Sequence, residues 1–228
     1  NPTTYECNVI SSPAPTDTSI SCALSGGRSG EYTVVVNRTG FGDSIVSDSG
    51  SNDFEYKVEV TGISPNVGSI EGGTLLTIDG TNFSEIKNEN QVVIGDSRNN
   101  LCLIQTATST QLTCIVQKND DTPADADQNV YVLARIQEEA VCNVTGGCKF
   151  QYQTSITPTV TDIYVGSSGT VTVKQGETVT VKGTNFNVDA SAILIRFDSV
   201  DVDQNTVNKV NATTFTFTMP ITTFGSFT

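Results

Sequence analysis

The side chains that carry most enzyme chemistry are scarce in this sequence. Its 228 residues include no histidine, the commonest general base. No nucleophile elbow, phosphate-binding glycine loop or dinucleotide fingerprint occurs. The carboxylates fall mostly in turns and on polar strand faces, where they read as solvated surface rather than as the paired acid and base of a glycosidase. Asp120, Asp121, Asp125 and Asp127 gather several oxygens of the kind calcium takes, but they surround Thr122-Pro123-Ala124 without an EF-hand pattern and read first as a flexible loop. Asp198, Asp201 and Asp203 read the same way. The expectation is a protein that is not an enzyme and needs no cofactor, with calcium at the acidic loop as the weaker alternative.

Cysteine is the second chemistry-bearing type. Cys7, Cys22, Cys102, Cys114, Cys142 and Cys148 are even in number and fall in close pairs. With no CxxC pair and no histidine, zinc is disfavoured, and disulfides formed in an oxidising compartment are expected. Local spacing pairs Cys7–Cys22, Cys102–Cys114 and Cys142–Cys148, while a link from Cys142 or Cys148 to Cys102 or Cys114 stays open. Each short loop would contribute roughly 2–3 kcal/mol. Four Asn-x-Ser/Thr sequons stand at Asn37, Asn82, Asn143 and Asn211. So many arise by chance in a chain this rich in Asn, Ser and Thr. Their position in turns or at strand ends is the better argument for N-glycans, and at least two are expected to be occupied. The Thr-rich stretch 154–161 is a weaker candidate for O-linked sugar.

Charge narrows the partners. The net charge is −13 and no Lys/Arg cluster occurs, so phosphate neutralisation, and with it nucleic-acid binding, is excluded. Anionic membrane surfaces are disfavoured for the same reason. No apolar run of about 18 residues crosses a membrane, and no signal peptide opens the sequence. With disulfides expected, a mature or excised extracellular segment is the reading.

The elements that must position these residues are strands. Tyr32-Thr33-Val34-Val35-Val36, Leu75-Leu76-Thr77-Ile78, Val130-Tyr131-Val132-Leu133-Ala134, Thr170-Val171-Thr172-Val173 and Thr214-Phe215-Thr216-Phe217-Thr218 alternate with period two. Gly, Asn, Asp and Ser clusters separate them, and no stretch holds helical periodicity, so the fold class is all-β, of sandwich type. Internal repeats follow. Gly80-Thr81-Asn82-Phe83 recurs as Gly183-Thr184-Asn185-Phe186, Phe54-Glu55-Tyr56 as Phe150-Gln151-Tyr152, and Cys7/Cys22 as Cys102/Cys114. Within the motif, Gly72-Gly73 suits a turn at positive φ, Leu76 and Ile78 face a core by alternation, Gly80 lets the chain bend out of its strand, and Phe83 returns as a core plug.

Ile63-Ser64-Pro65, Gly72-Gly73-Thr74, Leu76-Thr77-Ile78 and Gly80-Thr81-Asn82-Phe83, in that order, resemble the opening of an IPT/TIG domain. The paired mid-domain cysteines and closing Phe-x-Tyr are most similar to its fibrocystin-type and plexin-type extracellular arrays. The resemblance implies tandem immunoglobulin-like β-sandwiches of E-set type. It phases the chain as the C-terminal part of one domain at 1–57, a complete domain at 58–153 and the N-terminal part of a third at 156–228. The third copy departs from the motif, with Tyr164-Val165 in place of Ser-Pro and no cysteines. DNA binding, the role of some members, is excluded by charge.

Partial sandwiches expose core and strand edges that must be covered. The leading expectation is therefore an extracellular structural repeat protein, a glycosylated subunit of a surface fibre or coat that assembles with its own copies head-to-tail by strand complementation. The assembly edges would be the strand carrying Tyr32, Val34 and Val36 and the strand carrying Phe215 and Phe217. The alternative is a receptor or adhesin ectodomain segment that binds a protein or glycan, with Phe41 and Phe224 as the candidate exposed aromatics.

Overall fold

Alternation becomes strand in the runs at Leu75–Ile78, Val130–Ala134 and Thr214–Thr218, whereas the Tyr32–Val36 run is strand only as far as Thr33, and of the Thr170–Val173 run the first two residues lie outside the described residues and Thr172 and Val173 are not strand. The computed structural model describes residues 7–24, 30–45, 51–96, 100–119, 124–134, 138–166, 172–186, 194–197 and 200–219, and the chain divides into two units, 1–152 and 153–228.

The first unit opens with three small antiparallel pairs. These are β1 (Cys7–Val9) with β2 (Cys22–Leu24), β3 (Gly30–Thr33) with β6 (Asp53–Tyr56), and β4 (Asn37–Arg38) with β5 (Gly42–Asp43). No described residue from 7 to 57 is fully buried. The core lies in the strands that follow: β7 (Glu59–Ser64), β8 (Val67–Ser69), β9 (Leu75–Thr81), β10 (Asn90–Ile94), β11 (Asn100–Ala107), β12 (Gln111–Val116), β13 (Asp127–Ala134), β14 (Glu138–Glu139), β15 (Val141–Cys142) and β16 (Lys149–Gln153). They hydrogen-bond in the order β15-β7-β9-β12-β11-β10-β13-β16-β8, with β14 on the flank of β13. Only Pro65 and Asn66 separate β7 from β8, yet the two lie near opposite ends of that order. The ladder therefore wraps round a core, in which Leu76, Ile78, Val92, Ile94, Leu112, Val116, Phe150 and Tyr152 are wholly buried.

Turn chemistry sets the entry to β9. Gly72 and Gly73 take φ of +78° and +83°, and Gly73 donates its N–H to the Val116 carbonyl at 2.8 Å. Gly80 works differently from the expected bend. β9 runs straight through it, and a Cβ there would collide with the Glu59 carbonyl and the Phe83 ring. The glycine supplies room, not conformational freedom.

The second unit holds β17 (Thr159–Val165), β18 (Thr178–Thr184), β21 (Asn208–Asn211) and β22 (Thr214–Thr218) in a sheet ordered β17-β18-β22-β21, besides the hairpin β19 (Arg196–Phe197) and β20 (Val200–Asp201). Its core is Val179, Val181, Phe186, Val202, Val207, Phe215 and Phe217. The expectation that Phe215 and Phe217 lie on an assembly edge is corrected here. β22 is flanked on both sides, by β18 and β21, and alternation turns both rings inward, 6% and 3% exposed, with the Phe215 ring edge-on to Phe186 at 4.9 Å. Val160 is 59% exposed, whereas its counterpart Val60 is 2% exposed. β15 runs parallel along β7 beside Val60, and no described strand does so along β17.

Tyr152 gives the first unit a pH signature. Its ring meets Phe150 edge-on at 5.1 Å, its hydroxyl donates to the Gln117 carbonyl at 3.4 Å, and burial pushes the phenol up to about 12. The folded chain thus holds this proton more tightly than the unfolded chain, so the stabilisation is complete below about pH 10 and is lost as pH rises towards 12. An ultraviolet titration should show one of the six tyrosines ionising near 12. The urea midpoint should fall above about pH 10, and fall less steeply there in Tyr152→Phe.

Candidate functional site

The repeated motif is a latch. At Asn82 the backbone turns left-handed (φ 61°) and the carboxamide Nδ2 donates to the Lys57 carbonyl, just before β7, at 2.7 Å. At Asn185 φ is 58° and Nδ2 donates to the Thr157 carbonyl, just before β17, at 3.0 Å. The flanking backbone agrees: Gly80 and Phe83 donate to Thr110 and Ser109, and Gly183 and Phe186 donate to Thr213 and Ala212. Asparagine suits the position because its short side chain tolerates φ > 0 and bonds locally. Phe83 and Phe186 then pack into the space their glycines leave.

Three disulfides pin the first unit: Cys7–Cys22, Cys102–Cys114 and Cys142–Cys148, leaving no free cysteine. The first two share one geometry. Each crosses its strand pair diagonally, since Cys7 faces Leu24 and Val9 faces Cys22, as Cys102 faces Val116 and Ile104 faces Cys114. In the second unit Phe217 occupies the place of Cys114, opposite Val179 as Cys114 is opposite Leu76, so a buried ring replaces the buried bridge. Cys142–Cys148 closes a loop directly after β15, where Val141 and Asn143 donate to the Val58 and Val60 carbonyls at 2.8 Å each.

The sequons differ in surroundings. Asn37 is exposed on β4 and donates to Asp43 Oδ1 at 2.6 Å. Asn143 is exposed within the Cys142–Cys148 loop. Asn211 is exposed, and its Oδ1 accepts from both N–H and Oγ1 of Thr213 at 2.8 Å. Asn82 alone is half-buried.

Of the acidic loop, Asp120 and Asp121 lie outside the described residues. The Asp125 N–H donates to the Tyr152 carbonyl, and Asp127 pairs with Lys149 at 3.4 Å. Asp198 is likewise outside, the backbone of Asp201 lies opposite that of Arg196 in the β19–β20 hairpin, and Asp203 Oδ1 accepts from the N–H and Nδ2 of Asn205 at 3.0 Å each. Among the described residues no group of three or more His, Cys, Asp or Glu is placed to hold a metal. Phe224 is outside the described residues, while Phe41 is 77% exposed at the tip of the β4–β5 hairpin under the Arg38 guanidinium, 4.0 Å from its ring centre.

Tyr32 is half-buried and stacks on Phe54 at 5.5 Å. Val34 and Val36 already have backbone partners in Asn52 and Ser44, but their side chains, with Val35, are exposed. A further surface escaped the sequence reading. Leu75, Ile115 and Leu103 face one another across β9, β12 and β11 on the outer side of the sheet, with Leu101 two residues along β11. Leu75, Leu103 and Leu101 are 52%, 50% and 41% exposed. The same register places Thr178 and Thr218 in the second unit, and Asn8 and Ala23 in the β1–β2 pair. The sequence holds the signal five residues before each Gly-Thr-Asn-Phe repeat, where Leu75 in the first copy answers to Thr178 in the second.

Two measurements check the structural parts. In urea unfolding of the whole chain, Asn82→Ala should cost about 1–2 kcal/mol, from the lost hydrogen bond and the left-handed backbone, and Asn82→Gly should cost less because glycine relieves the second. Replacing Cys102 and Cys114 together by Ala should cost about 3 kcal/mol.

The profile of the IPT/TIG domain matches residues 59–152 and 154–228. Fibrocystin-L of Mus musculus is 30% identical over 167 residues, which is 73% of this chain and 4% of that protein. Fibrocystin-L of Homo sapiens is 28% identical over 133 residues, 57% of this chain and 3% of that protein. The chain therefore spans a small fraction of the length of these relatives. Among solved structures, the extracellular region of Plexin A4 aligns over 97% of this chain and 18% of its own at 20% identity and a TM-score of 0.43. With the opening motif between Ile63 and Phe83, both latches and the profile running across most of its length, the chain belongs to the IPT/TIG domain family.

Proposed function

We propose that the chain is a segment of an extracellular array of IPT/TIG sandwiches that spaces and presents a protein-binding face, and that it is neither an enzyme nor a self-assembling fibre subunit. Three disulfides support an oxidising, extracellular or cell-surface location. The small share of fibrocystin-L that the chain spans supports an array far longer than this segment.

The observation that carries the binding face is the row Leu75–Ile115–Leu103 with Leu101. An isolated exposed leucine needs no explanation, but a contiguous row on the solvent side of a sheet does. The fold does not demand it, because the equivalent positions hold Thr178 and Thr218 in the second unit. The row itself is aliphatic, and the aromatic that the register sets on the same face, Tyr131 beyond Val93, holds its hydroxyl to Asp96, which favours a protein surface over a glycan as the partner. A photo-crosslinking residue placed at position 103 of the array on its own cells should trap a discrete protein adduct, and one at position 218 should trap none. Equal trapping at both positions, or none at 103, sinks the proposal.

The second reading is the fibre assembled by strand complementation from copies of this chain. The apolar Val34-Val35-Val36 run beside β3 favours it, and the interior position of β22 weighs against it. Negative-stain electron microscopy of native material separates the two. Flexible strings of beads are expected, and regular filaments would establish the fibre instead.

A further inference from the structure

We propose that Asn37, Asn143 and Asn211 are the chain's N-glycan acceptors and that Asn82, although it stands in a sequon, is a structural latch that carries no glycan. The inference rests on the extracellular reading above and goes beyond it by assigning the sites.

The chemistry of the acceptor is the starting point. A glycan replaces one hydrogen of the Asn Nδ2, so that atom must face solvent with room for a bulky sugar. Asn143 meets this requirement. It is exposed, its own backbone N–H holds the chain in place through the Val60 carbonyl, and the loop beyond it is open, with nothing within 4 Å of a Cβ added at Gly146. Asn211 meets it in a second way. Thr213 of the same sequon directs both its N–H and its hydroxyl to Oδ1, so the turn is built from the carboxamide oxygen and Nδ2 takes no part in it. Asn37 is exposed on a two-residue strand, and its bond to Asp43 Oδ1 needs only one of the two Nδ2 hydrogens.

Asn82 differs in its burial and in where its carboxamide points. Its Nδ2 points into the protein, onto the Lys57 carbonyl, from a half-buried residue. The sequon's hydroxyl is also consumed. Ser84 is 6% exposed, and its Oγ donates to Glu89 Oε2 at 2.6 Å while accepting from the Ile86 N–H at 3.2 Å. Asn90 closes the same turn by donating to the Ser84 and Ile86 carbonyls and accepting from the Ser84 N–H. The second unit acts as the control. Asn185 makes the same bond at the same φ, but it is followed by Phe186 and Asn187 and forms no sequon. The asparagine is therefore there for the latch, and Ser84 for its own turn. A sugar on Asn82 would have to be accommodated where the chain enters β7, against the packing of Phe83.

The test is site mapping of the chain secreted from a eukaryotic host, using enzymatic deglycosylation in heavy-oxygen water and peptide mass spectrometry. Heavy Asp is expected at 37, 143 and 211 and unaltered Asn at 82. Asn37→Gln, Asn143→Gln and Asn211→Gln should each remove one step of electrophoretic mobility, and Ser84→Ala should remove none. Heavy Asp at position 82, or its absence at 37, 143 or 211, overturns the assignment. Mapping of native material tests the extracellular reading separately: sugar at none of the four positions there, with the expected pattern in the secreting host, rejects the location and leaves the assignment standing.

Discussion

The interaction on which each sandwich depends is the closure of its first strand onto its second through one asparagine side chain and one missing Cβ. Asn82 and Asn185 reach from the end of the second strand to the carbonyl that precedes the first. Gly80 and Gly183 let that first strand come so close that its carbonyl oxygen and a phenylalanine ring fill the space where a side chain would stand. A hydrogen bond of this kind is worth only about 1 kcal/mol net. Its effect is larger than that figure because it fixes which residue of the first strand faces which residue of the second, and a slip of one position would turn Leu76 and Ile78 out of the core. The small bond specifies, and the buried side chains stabilise.

With that register set, the centre of the sheet accepts different solutions. In the first unit Cys102 and Cys114 join β11 to β12 inside the core. In the second unit Phe217 stands in the same place, buried among Phe186, Phe215 and valines. A disulfide acts mainly by restricting the unfolded chain, whereas a ring acts by removing apolar area from water. The two are interchangeable here because the position needs volume and burial, and its chemistry is otherwise unconstrained. The same freedom explains why loss of cysteine in the second unit does not signal loss of the fold.

Much of this was legible in the sequence, and the boundary of legibility is physical. Local features could be read directly: the period-two runs, the Gly72-Gly73 turn, and the recurrence of Gly-Thr-Asn-Phe, all of which depend on residues near one another in the chain. What could not be read was anything set by a distant strand. The role of Gly80 depends on the Glu59 carbonyl lying over it. The placing of Phe215 and Phe217 depends on β21 and β18 taking both sides of β22, since an alternating Thr-Phe run looks the same at an edge and in the middle of a sheet. The burial of Val60 and the exposure of Val160 depend on whether a strand such as β15 lies alongside. Asn82 shows the same limit within a site, because a sequon is defined by three consecutive residues and the latch by the carbonyl of Lys57, 25 residues away.

Repetition within one chain also separates what the fold requires from what a particular domain has acquired. Positions that keep their character in both units, such as Leu76 with Val179, Ile78 with Val181 and Phe83 with Phe186, are those that build the core. Positions that differ on the solvent side are free of that duty. Thr178 and Thr218 show that a hydroxylated pair is compatible with this sheet, and Asn8 with Ala23 makes the same point for the β1–β2 pair. Leucine and isoleucine at the corresponding places in the first unit expose apolar surface to water with no gain to the core beneath. Such surface is unfavourable in an isolated domain and becomes favourable only when something covers it. The difference between the two units thus lies on the outer face of β9, β12 and β11, the face proposed above to bind a partner.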